Sequence, residues 1–424
     1  MRYPAYSEYE DSGVTWIGQK PRHWQVRRLK EHGRLIGGTG FPIDEQGIAD
    51  EALPFYKVGD LKEAADGRHM AEAPHTISLE TANRLRASVI PTSAVVYAKI
   101  GAALLLNRRR LTSVSCCIDN NMTAYVPDTD QLDVLWVYHW LTKINFAEFT
   151  NPGAVPSFSE GYQGILPICV PPMKEQQKIA AFLDWKTGQI AALIARKKEL
   201  LEKLKEKRLA VITQAVTKGL NPDVPMRDSG IPWLGQVPQH WDMLRIGRMI
   251  TLQRGVDITK DEQEDGEVPV VSSGGIASYH TVALLKGPGV VVGRKGTAGA
   301  LYYIESDYWP HDTTLYVREF WGNHPRFVYY KLLSMDLASY DTGTANPTVN
   351  RNRVYPEMVS WPPLEEQLGI TNYLDQITES IDGMIAKVME AIDRLTEYRS
   401  ALITAATTGK IDVRNVKVPA PDKP

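Results

Sequence analysis

Hydrophobic residues recur in steps of four and three along two long stretches of this chain. At these positions the first stretch carries Leu183, Thr187, Ile190, Ile194, Lys197, Leu201, Leu204, Arg208, Val211 and Ala215, and the second carries Leu374, Thr378, Ile381, Ile385, Val388, Ile392, Leu395, Arg399, Leu402 and Ala406. A repeat sustained over about four heptads is typical of coiled-coil helices. We expect these two helices to pack on each other. About 45 residues at ~1.5 Å per residue give each a length of roughly 65 Å.

Both helices are predicted to begin after the same motif. Pro171 to Gln176 (PPMKEQ) match Pro362 to Gln367 (PPLEEQ), 191 residues later, and the match continues without a gap to Thr217 and Thr408. Proline is common just ahead of a helix and cannot continue a preceding one. The motif therefore marks the start of each helix.

Ahead of each helix the pattern changes to short apolar runs that are broken by glycine and proline. Val95 to Ala98 and Val290 to Gly293 are two such runs, and they are typical of strands. Each region also contains a helical stretch, Leu132 to Phe149 in the first and Arg326 to Tyr340 in the second. Both regions are therefore predicted to be α+β globular domains.

A fourteen-residue motif opens both of these regions. Asp11 to Trp24 reads DSGVTWIGQKPRHW and Asp228 to Trp241 reads DSGIPWLGQVPQHW, with nine of the fourteen positions identical at a separation of 217 residues. Since the helix motifs are only 191 residues apart, the second copy is 26 residues shorter in its middle. The chain is thus an internal repeat with matched ends and diverged middles. We expect the two tryptophans of each copy to anchor the motif in a core.

The repeat divides the chain into five segments. Residues 1–170 form a first globular domain, 171–218 a central helix, 219–361 a second globular domain and 362–410 a C-terminal helix. The run Gly219 to Pro225, rich in residues that break helices, ends the central helix. Residues 411–424 form a tail that we expect to be flexible.

Composition narrows the classes of protein that fit. No apolar run reaches the roughly 18 residues needed to span a bilayer, and charged residues occupy the N-terminus where a signal peptide would be apolar, so we expect a cytoplasmic protein without a membrane contact. The three cysteines and nine histidines have no metal-ligand spacing. A net charge of -2 gives no overall attraction to nucleic acid, so a DNA surface has to come from local clusters of Lys and Arg.

This arrangement resembles the specificity subunit of a Type I restriction-modification system. The resemblance covers nearly the whole chain and is carried by the duplicated opening motif, the two Pro-Pro-x-x-Glu-Gln helix starts and the paired long helices. It implies an α+β fold class: two globular target-recognition domains joined by two long antiparallel coiled-coil helices, with a pseudo-two-fold internal repeat. Each domain then reads one half of a split, asymmetric site in double-stranded DNA.

The same resemblance implies a chain without a catalytic residue, metal or cofactor of its own. Two methyltransferase (M) subunits dock on the helices and bring S-adenosylmethionine, and restriction (R) subunits join with ATP and Mg. The complex is then an adenine-specific DNA methyltransferase and an ATP-dependent endonuclease. A rigid helical spacer between two unlike readers would leave unread base pairs between the half-sites, because DNA rises ~3.4 Å per pair.

The candidates for DNA contact are basic, amide and hydroxyl residues at strand ends and in loops, since these groups bind phosphates and base edges. In the first domain they are Lys99, Arg108, Arg109, Arg110, Asn120, Asn121, Ser157 and Gln163. In the second domain they are Arg294, Lys295, Thr297, His311, Thr348, Asn350, Arg351, Asn352 and Arg353. Alignment of Val95 to Gly101 with Val290 to Gly296 places Lys99 opposite Arg294, and Ser157 and Thr348 occupy matched loops.

No catalytic signature is recognisable in the sequence. The glycine-rich run Gly37 to Gly40 has no surrounding βαβ unit, and Gly293 to Gly296 does not have the spacing of a phosphate-binding loop. Two alternatives stay open at this level. One is a self-contained endonuclease with dispersed, unrecognised carboxylates, and the other is a coiled-coil scaffold that binds only proteins.

Overall fold

The computed structural model describes residues 3–62, 64, 66–151, 155–341, 343 and 348–419. The chain forms two compact units, one made of Met1–Ala195 with Ile392–Pro424 and the other of Arg196–Ala391. Each unit thus contains one globular domain and part of both long helices. None of the helices in the described ranges has the length and apolar character that crossing a bilayer requires.

The first domain is built around an antiparallel four-stranded sheet. Its strands are β1 (Tyr9–Asp11), β2 (Gln19–Pro21), β3 (Gln25–Arg28), β4 (Gly33–Gly37), β5 (Leu53–Tyr56), β6 (Thr76–Ile77), β7 (Val95–Ala98), β8 (Arg109–Leu111), β9 (Cys117–Ile118), β10 (Met122–Pro127) and β11 (Pro167–Val170). Its helices are α1 (Leu79–Arg84), α2 (Ala102–Leu105), α3 (Val134–Lys143) and α4 (Glu160–Ile165), and it leads into α5 (Met173–Lys218). The sheet order is β4-β10-β7-β8, and every residue of β7 is buried because this apolar strand is covered on both faces.

The second domain repeats this architecture. Its strands are β12 (Met226–Asp228), β13 (Gln236–Pro238), β14 (Asp242–Arg245), β15 (Thr251–Arg254), β16 (Val268–Ser272), β17 (Gly275–His280), β18 (Gly289–Gly293), β19 (Leu301–Ile304), β20 (Trp309–Pro310), β21 (Thr314–Glu319) and β22 (Met358–Trp361). Its helices are α6 (Ile246–Met249), α7 (Pro325–Leu333) and α8 (Arg351–Val354), and it leads into α9 (Leu364–Thr407). The central sheet has the order β15-β21-β18-β19, with β18 buried throughout.

The two predicted helical stretches are each split in the structure. α3 is followed by a separate 3-10 turn, Phe146–Phe149, and α7 by another, Leu337–Tyr340. Asp133 caps the start of α3, where its side chain accepts a hydrogen bond from the backbone amide of Trp136. Both helices are therefore shorter than predicted. The apolar pattern continues into the 3-10 turn that follows each helix, so it does not mark the helix end.

The helices α5 and α9 confirm the heptad prediction. All of the predicted heptad positions are buried or half-buried, including the two charged ones on α5, Lys197 and Arg208. By contrast, leucines outside the heptad positions of α5, such as Leu193, Leu200 and Leu209, are about half exposed. The seam of the coiled coil thus follows the steps of four and three.

The two helices run antiparallel. In the first unit, Leu183 of the opening half of α5 belongs to the same core as Leu402 of the closing half of α9. In the second unit, Val216 of the closing half of α5 shares a core with Leu374 of the opening half of α9. Each globular domain therefore packs on the beginning of one helix and the end of the other.

The glutamate of each helix-start motif holds the opening motif of the same unit. In the first unit, Glu175 is buried and accepts hydrogen bonds from the indole nitrogen of Trp24 (3.0 Å) and the hydroxyl of Tyr6 (2.7 Å). In the second unit, Glu366 accepts one from the indole nitrogen of Trp241 (2.9 Å). Trp24 and Trp241 are buried as predicted. Trp16 and Trp233, at the sixth position of the motif, are 36% and 50% exposed and so are not anchored in a core as expected.

Residues 411–419 do not behave as the flexible tail that we expected from the sequence. Val413 is buried in the core of the first domain, and the backbone amide of Asp412 donates to the carbonyl oxygen of Pro4 (2.7 Å). The guanidinium of Arg414 lies 4.8 Å from the ring centroid of Tyr6. The apolar residues of this segment belong to the same core as Tyr3, Tyr6 and Tyr9 of the N-terminal segment, a contact between distant parts of the chain that the sequence did not indicate.

Candidate nucleic-acid interface

In the first domain, three backbone segments meet just beyond the end of β7. The amide of Lys99 donates to the carbonyl oxygen of Asn121 (2.8 Å), and the amide of Phe158 donates to the carbonyl oxygen of Lys99 (2.8 Å). A β-bridge joins Ile100 to Ser157. We call the surface formed by residues 99–101, 119–121 and 157–160 the strand-end surface of the first domain.

The second domain has the same arrangement beyond β18. The amide of Arg294 donates to the carbonyl oxygen of Thr313 (2.8 Å), the amide of Val349 donates to the carbonyl oxygen of Arg294 (3.0 Å), and a β-bridge joins Lys295 to Thr348. The strand-end surface of the second domain is therefore formed by residues 294–296, 311–313 and 348–351. The structure thus agrees with the alignment of the two strand ends that the sequence suggested.

Matched glycines explain why these segments can approach so closely. Gly101 and Gly296 both have φ +78°, a left-handed conformation that glycine adopts without strain. A Cβ atom on Gly38 or Gly255 would lie 2.0 or 2.1 Å from a backbone carbonyl oxygen of the adjacent turn, so only glycine fits. These positions keep the backbone compact beneath each strand-end surface.

The matched basic residues are both held by their own domains. The ammonium of Lys99 donates to Glu160 at 2.9 Å, and its side chain is 16% exposed. The guanidinium of Arg294 donates to the carbonyl oxygen of Asp312 (3.0 Å), its side chain is 13% exposed, and burial lowers its pKa. A DNA phosphate would therefore compete with these internal contacts.

Two residues of the candidate set are buried and lie out of reach of DNA in this structure. Arg109 is 3% exposed, donates to the carbonyl oxygen of Ile144 and lies 3.8 Å from the ring centroid of Phe146, and burial lowers its pKa to about 9. Gln163 is 0% exposed and accepts a hydrogen bond from the hydroxyl of Tyr97 (2.9 Å). Both side chains support the core, which corrects the expectation that they face DNA.

The other first-domain candidates remain at the surface. Asn120 is exposed, and Arg108, Arg110, Asn121 and Ser157 are half-buried. The two asparagines form the turn between β9 and β10, where the amide of Asn121 donates to the carboxylate of Asp119. The structure brings Lys99, the asparagine turn and Ser157 together but leaves the arginine run on the neighbouring strand β8.

In the second domain five of the nine candidates are exposed. The exposed ones are Lys295, Thr297, Arg351, Asn352 and Arg353. They come from the loop after β18 and from α8, which begins directly after the bridge to Lys295. Several donors therefore face solvent around one strand end.

The remaining second-domain candidates already have partners. The side chain of Asn350 accepts a hydrogen bond from the amide of Asn352 (3.0 Å) and caps α8. The ring of His311 bonds the hydroxyl of Thr313 (3.0 Å), and Thr348 is half-buried in the bridge to Lys295. These residues shape the surface, and their side chains are less available than those of α8.

Comparison with known families identifies the chain. The family model for the Type I restriction modification DNA specificity domain matches it twice, over residues 21–203 and 238–396, which together make up most of the sequence. The chain belongs to this family. It is therefore the DNA sequence-specificity subunit of a Type I system, a non-catalytic component, as the sequence had indicated.

One solved structure with a TM-score above 0.5 shows the same fold. A chain from a structure described for complex assembly and conformational transition of the type I R-M system is 14% identical, with a TM-score of 0.63, over 92% of this chain and 98% of that chain. The HsdS subunit from Thermoanaerobacter tengcongensis is 14% identical (TM-score 0.47, covering 92% and 98%). The S subunit from M. genitalium is 13% identical (TM-score 0.39, covering 91% and 96%).

The specificity subunit also has basic residues that the sequence analysis missed and that line one cavity with Arg351 of this surface. Arg254, at the end of β15, donates to the carboxylate of Asp312 (2.7 Å), and Arg318 on β21 donates to the amide oxygen of Gln253 (3.1 Å). Their side chains are 57% and 59% exposed. Each is an isolated arginine in a strand, so only the pairing of β15 with β21 brings them to one place.

One group of side chains in the described part of the specificity subunit has the spacing of a metal site. Ligand atoms of Asp257, His311 and Asp312 lie within 4.8 Å of one another. The hydrogen bond from Arg254 holds the pKa of the Asp312 carboxyl below its ordinary value, so this carboxylate already has a cationic partner. The cluster is explained by ion pairs within the domain.

Proposed function

We propose that this subunit reads a split, asymmetric site in double-stranded DNA, one half with each globular domain. The observation that carries the proposal is the matched strand-end surface, which recurs in both domains with the same backbone hydrogen bonds but different side chains. A shared scaffold with unlike side chains suits two different half-sites, whereas two identical readers would suit a palindrome.

The proposed contacts are made by the side chains that remain at the strand-end surfaces and the loops beside them. In the first domain these are Lys99, Arg108, Arg110, Asn120, Asn121 and Ser157. In the second domain they are Arg294, Lys295, Thr297, His311, Thr348, Asn350, Arg351, Asn352 and Arg353. Arginine and asparagine can pair bidentately with guanine and adenine edges, and arginine, lysine and hydroxyl groups also bind phosphate oxygens.

We further propose that α5 and α9 set the spacing between the half-sites and dock the partners. Two methyltransferase subunits would bring S-adenosylmethionine, and restriction subunits would bring ATP and Mg, with the complex working in the cytoplasm. The specificity subunit itself would hold none of these cofactors. The support is the family membership together with two helices of 46 and 44 residues that run through both units.

Methylation profiling of host DNA with and without this subunit tests the proposal. We expect methylation at one bipartite sequence that disappears without the subunit. Replacing residues 25–155 with the equivalent region of another specificity subunit should change one half-site and leave the other unaltered. Loss of both half-sites in a folded chimera would contradict separate reading by the two domains.

Two biochemical outcomes would support the alternatives. Cleavage of DNA by the purified chain with Mg²⁺ alone would indicate an endonuclease. DNA binding without any sequence preference, measured in the presence of methyltransferase partner, would indicate a scaffold.

A further inference from the structure

We propose that the second domain anchors the DNA backbone in an arginine-lined cavity whose arginines have no basic residue at the matched positions of the first domain. The cavity has a volume of about 770 Å³, and its walls include Arg254, Arg318 and Arg351. We call it the arginine cavity. The inference rests on the proposed function and adds to it which domain makes the stronger contact with phosphate.

The three arginines reach the cavity from three separate segments. Arg254 ends β15, Arg318 lies on β21 and Arg351 begins α8. The guanidinium of Arg351 donates to the carbonyl oxygen of Leu252 (3.0 Å) and takes part in none of the ion pairs among the described residues. Among the described residues this is the only hydrogen bond that the Arg351 side chain makes, so other N–H groups of the guanidinium remain to donate. Arginine is well suited to phosphate because its planar fork can bind two oxygens at once.

Positive charge exceeds negative charge around the cavity. Asp257 and Asp312 also line it. The carboxylate of Asp312 is shared, since it lies 2.7 Å from Arg254 and 4.0 Å from Arg294. Outside the lining, the carboxylate of Glu319 lies 3.8 Å from Arg318, and both side chains are at least half exposed, so this pair is weak. A phosphate could therefore replace these partial contacts.

The first domain lacks this charge at the matched positions. Strand β4 pairs with β10 as β15 pairs with β21, which sets the register of the comparison. In that register Gly37 and Val126 take the places of Arg254 and Arg318, and the exposed Arg34 of β4 lies opposite Val126. The matched bridges at Ser157 and Thr348 place Glu160 where the second domain has Arg351. Two of the three replacing residues are uncharged and one is acidic, and the acid already binds Lys99. The first domain therefore offers less neutralising charge and one carboxylate, a group that can accept a hydrogen bond from a base amino group.

The DNA backbone fits the arginine cavity better than a base edge does. One arginine reads a guanine edge through two hydrogen bonds. The three arginines around the arginine cavity instead suit the repeated charges of a sugar–phosphate chain. A phosphate contact gives affinity to any sequence, with a strong dependence on salt. The second domain should thus dominate the electrostatic part of binding.

The test measures how salt affects DNA binding by the full-length subunit. The probes are two 40-base-pair duplexes, one with the site found by methylation profiling and one with that site scrambled. Arg318→Gln and Arg351→Gln should each reduce the slope of log K against log salt by about 0.9, and the double variant by about twice that. Arg248→Gln is the matched control, because Arg248 is an exposed arginine of the same domain outside the cavity lining.

Each outcome is decisive for the arginine cavity. Equal reductions on both duplexes, with an unchanged slope for Arg248→Gln, would support phosphate binding. A slope that stays at the parental value in the double variant would overturn the inference, and so would a change in the methylated half-site letters, which would mean that the arginines read bases. If the parent subunit itself does not prefer its site to the scrambled duplex, the proposed function fails instead. Circular dichroism of each variant confirms that it is folded.

Discussion

Glu175 of α5 bonds the first domain to this helix. Besides Trp24 and Tyr6, the ring of His23 lies 2.9 Å from this carboxylate. These contacts link three parts of the chain that are far apart in sequence: the N-terminus, the end of the opening motif and the first turn of α5. Two of the three donors are buried, so water cannot replace a lost acceptor.

Glu175→Ala should destabilise the first unit by about 1–3 kcal/mol, because it leaves the buried indole N–H of Trp24 and hydroxyl of Tyr6 without an acceptor. Lys174→Ala is the control, since Lys174 is the exposed neighbour on the same helix turn. Urea unfolding followed by tryptophan fluorescence measures the difference. Equal stabilities for the two variants would show that the carboxylate does not hold the motif.

Lys331 of α7 places a buried amino group against the last turn of α5. Its ammonium is 0% exposed and donates to the carbonyl oxygen of Val216 (2.8 Å), which lies in the last turn of α5 and has no helical donor. Burial lowers the pKa of Lys331 to about 7. The matched position in the first domain is Trp140, whose indole nitrogen donates to the carbonyl oxygen of Pro167 (3.2 Å).

The lowered pKa of Lys331 predicts a pH-dependent stability. Below pH 7 both folded and unfolded chains carry the proton, and burying the charge opposes folding. As pH rises from about 7 towards the ordinary lysine value, the folded chain releases this proton before the unfolded chain does, so the free energy of unfolding rises. The stability of the parent relative to Lys331→Met should increase with pH across this window. Urea titrations at several pH values measure it, and a pH-independent difference would contradict it.

One heptad position of the coiled coil is an arginine in both helices, but the two arginines differ in their hydrogen-bond partners. In the second unit Arg208 forms a two-bond ion pair with Asp382, at 2.8 and 3.1 Å. In the first unit the matched arginine is Arg399, whose Nε is buried without a hydrogen-bond partner among the described residues. The residue matched to Asp382 is Ala191, which lines the same cavity as Arg399.

Ala191→Asp should therefore give Arg399 the partner that Arg208 already has. We expect the free energy of unfolding to rise by about 0.3–1 kcal/mol, and the gain to shrink at high salt, as for other partly exposed ion pairs. Ala192→Asp is the control, because neighbouring residues on a helix do not share a face. Thermal unfolding at low and high salt provides the measurement. The same gain in both variants would point to a general charge effect.

For the whole molecule, the lengths of α5 and α9 are expected to set the spacing of the DNA site. Inserting seven residues after Leu204 and another seven after Leu395 keeps both heptad seams in register and lengthens the helices by ~10 Å. We predict about three additional unread base pairs between half-sites whose letters do not change, at ~3.4 Å per pair. Methylation-site sequencing gives the result. An active variant with the original spacing would show that the lengths of α5 and α9 do not set the distance between the half-sites.

The sequence by itself determined the repeat, the two long helices and the α+β character of the domains. These features depend on local periodicity and on repeated motifs. Both can be recognised in the sequence without knowledge of the tertiary contacts. The heptad positions illustrate this. Residues spaced by four and three lie on one face of a helix, whatever the helix packs against. Lys99 and Arg294 were matched in the same way, from one strand and the glycine that follows it.

The tertiary structure alone decided which candidate residues reach the surface. Arg109 stands in a run of three arginines, yet it is buried because β8 alternates its side chains between a covered and an open face. Arg254 and Arg318 are 64 residues apart in sequence and line the same cavity because β15 pairs with β21. Val413 is buried because the C-terminal segment packs into the same core as Tyr6 of the N-terminal segment. Burial and convergence depend on contacts between distant segments, and no local pattern encodes them.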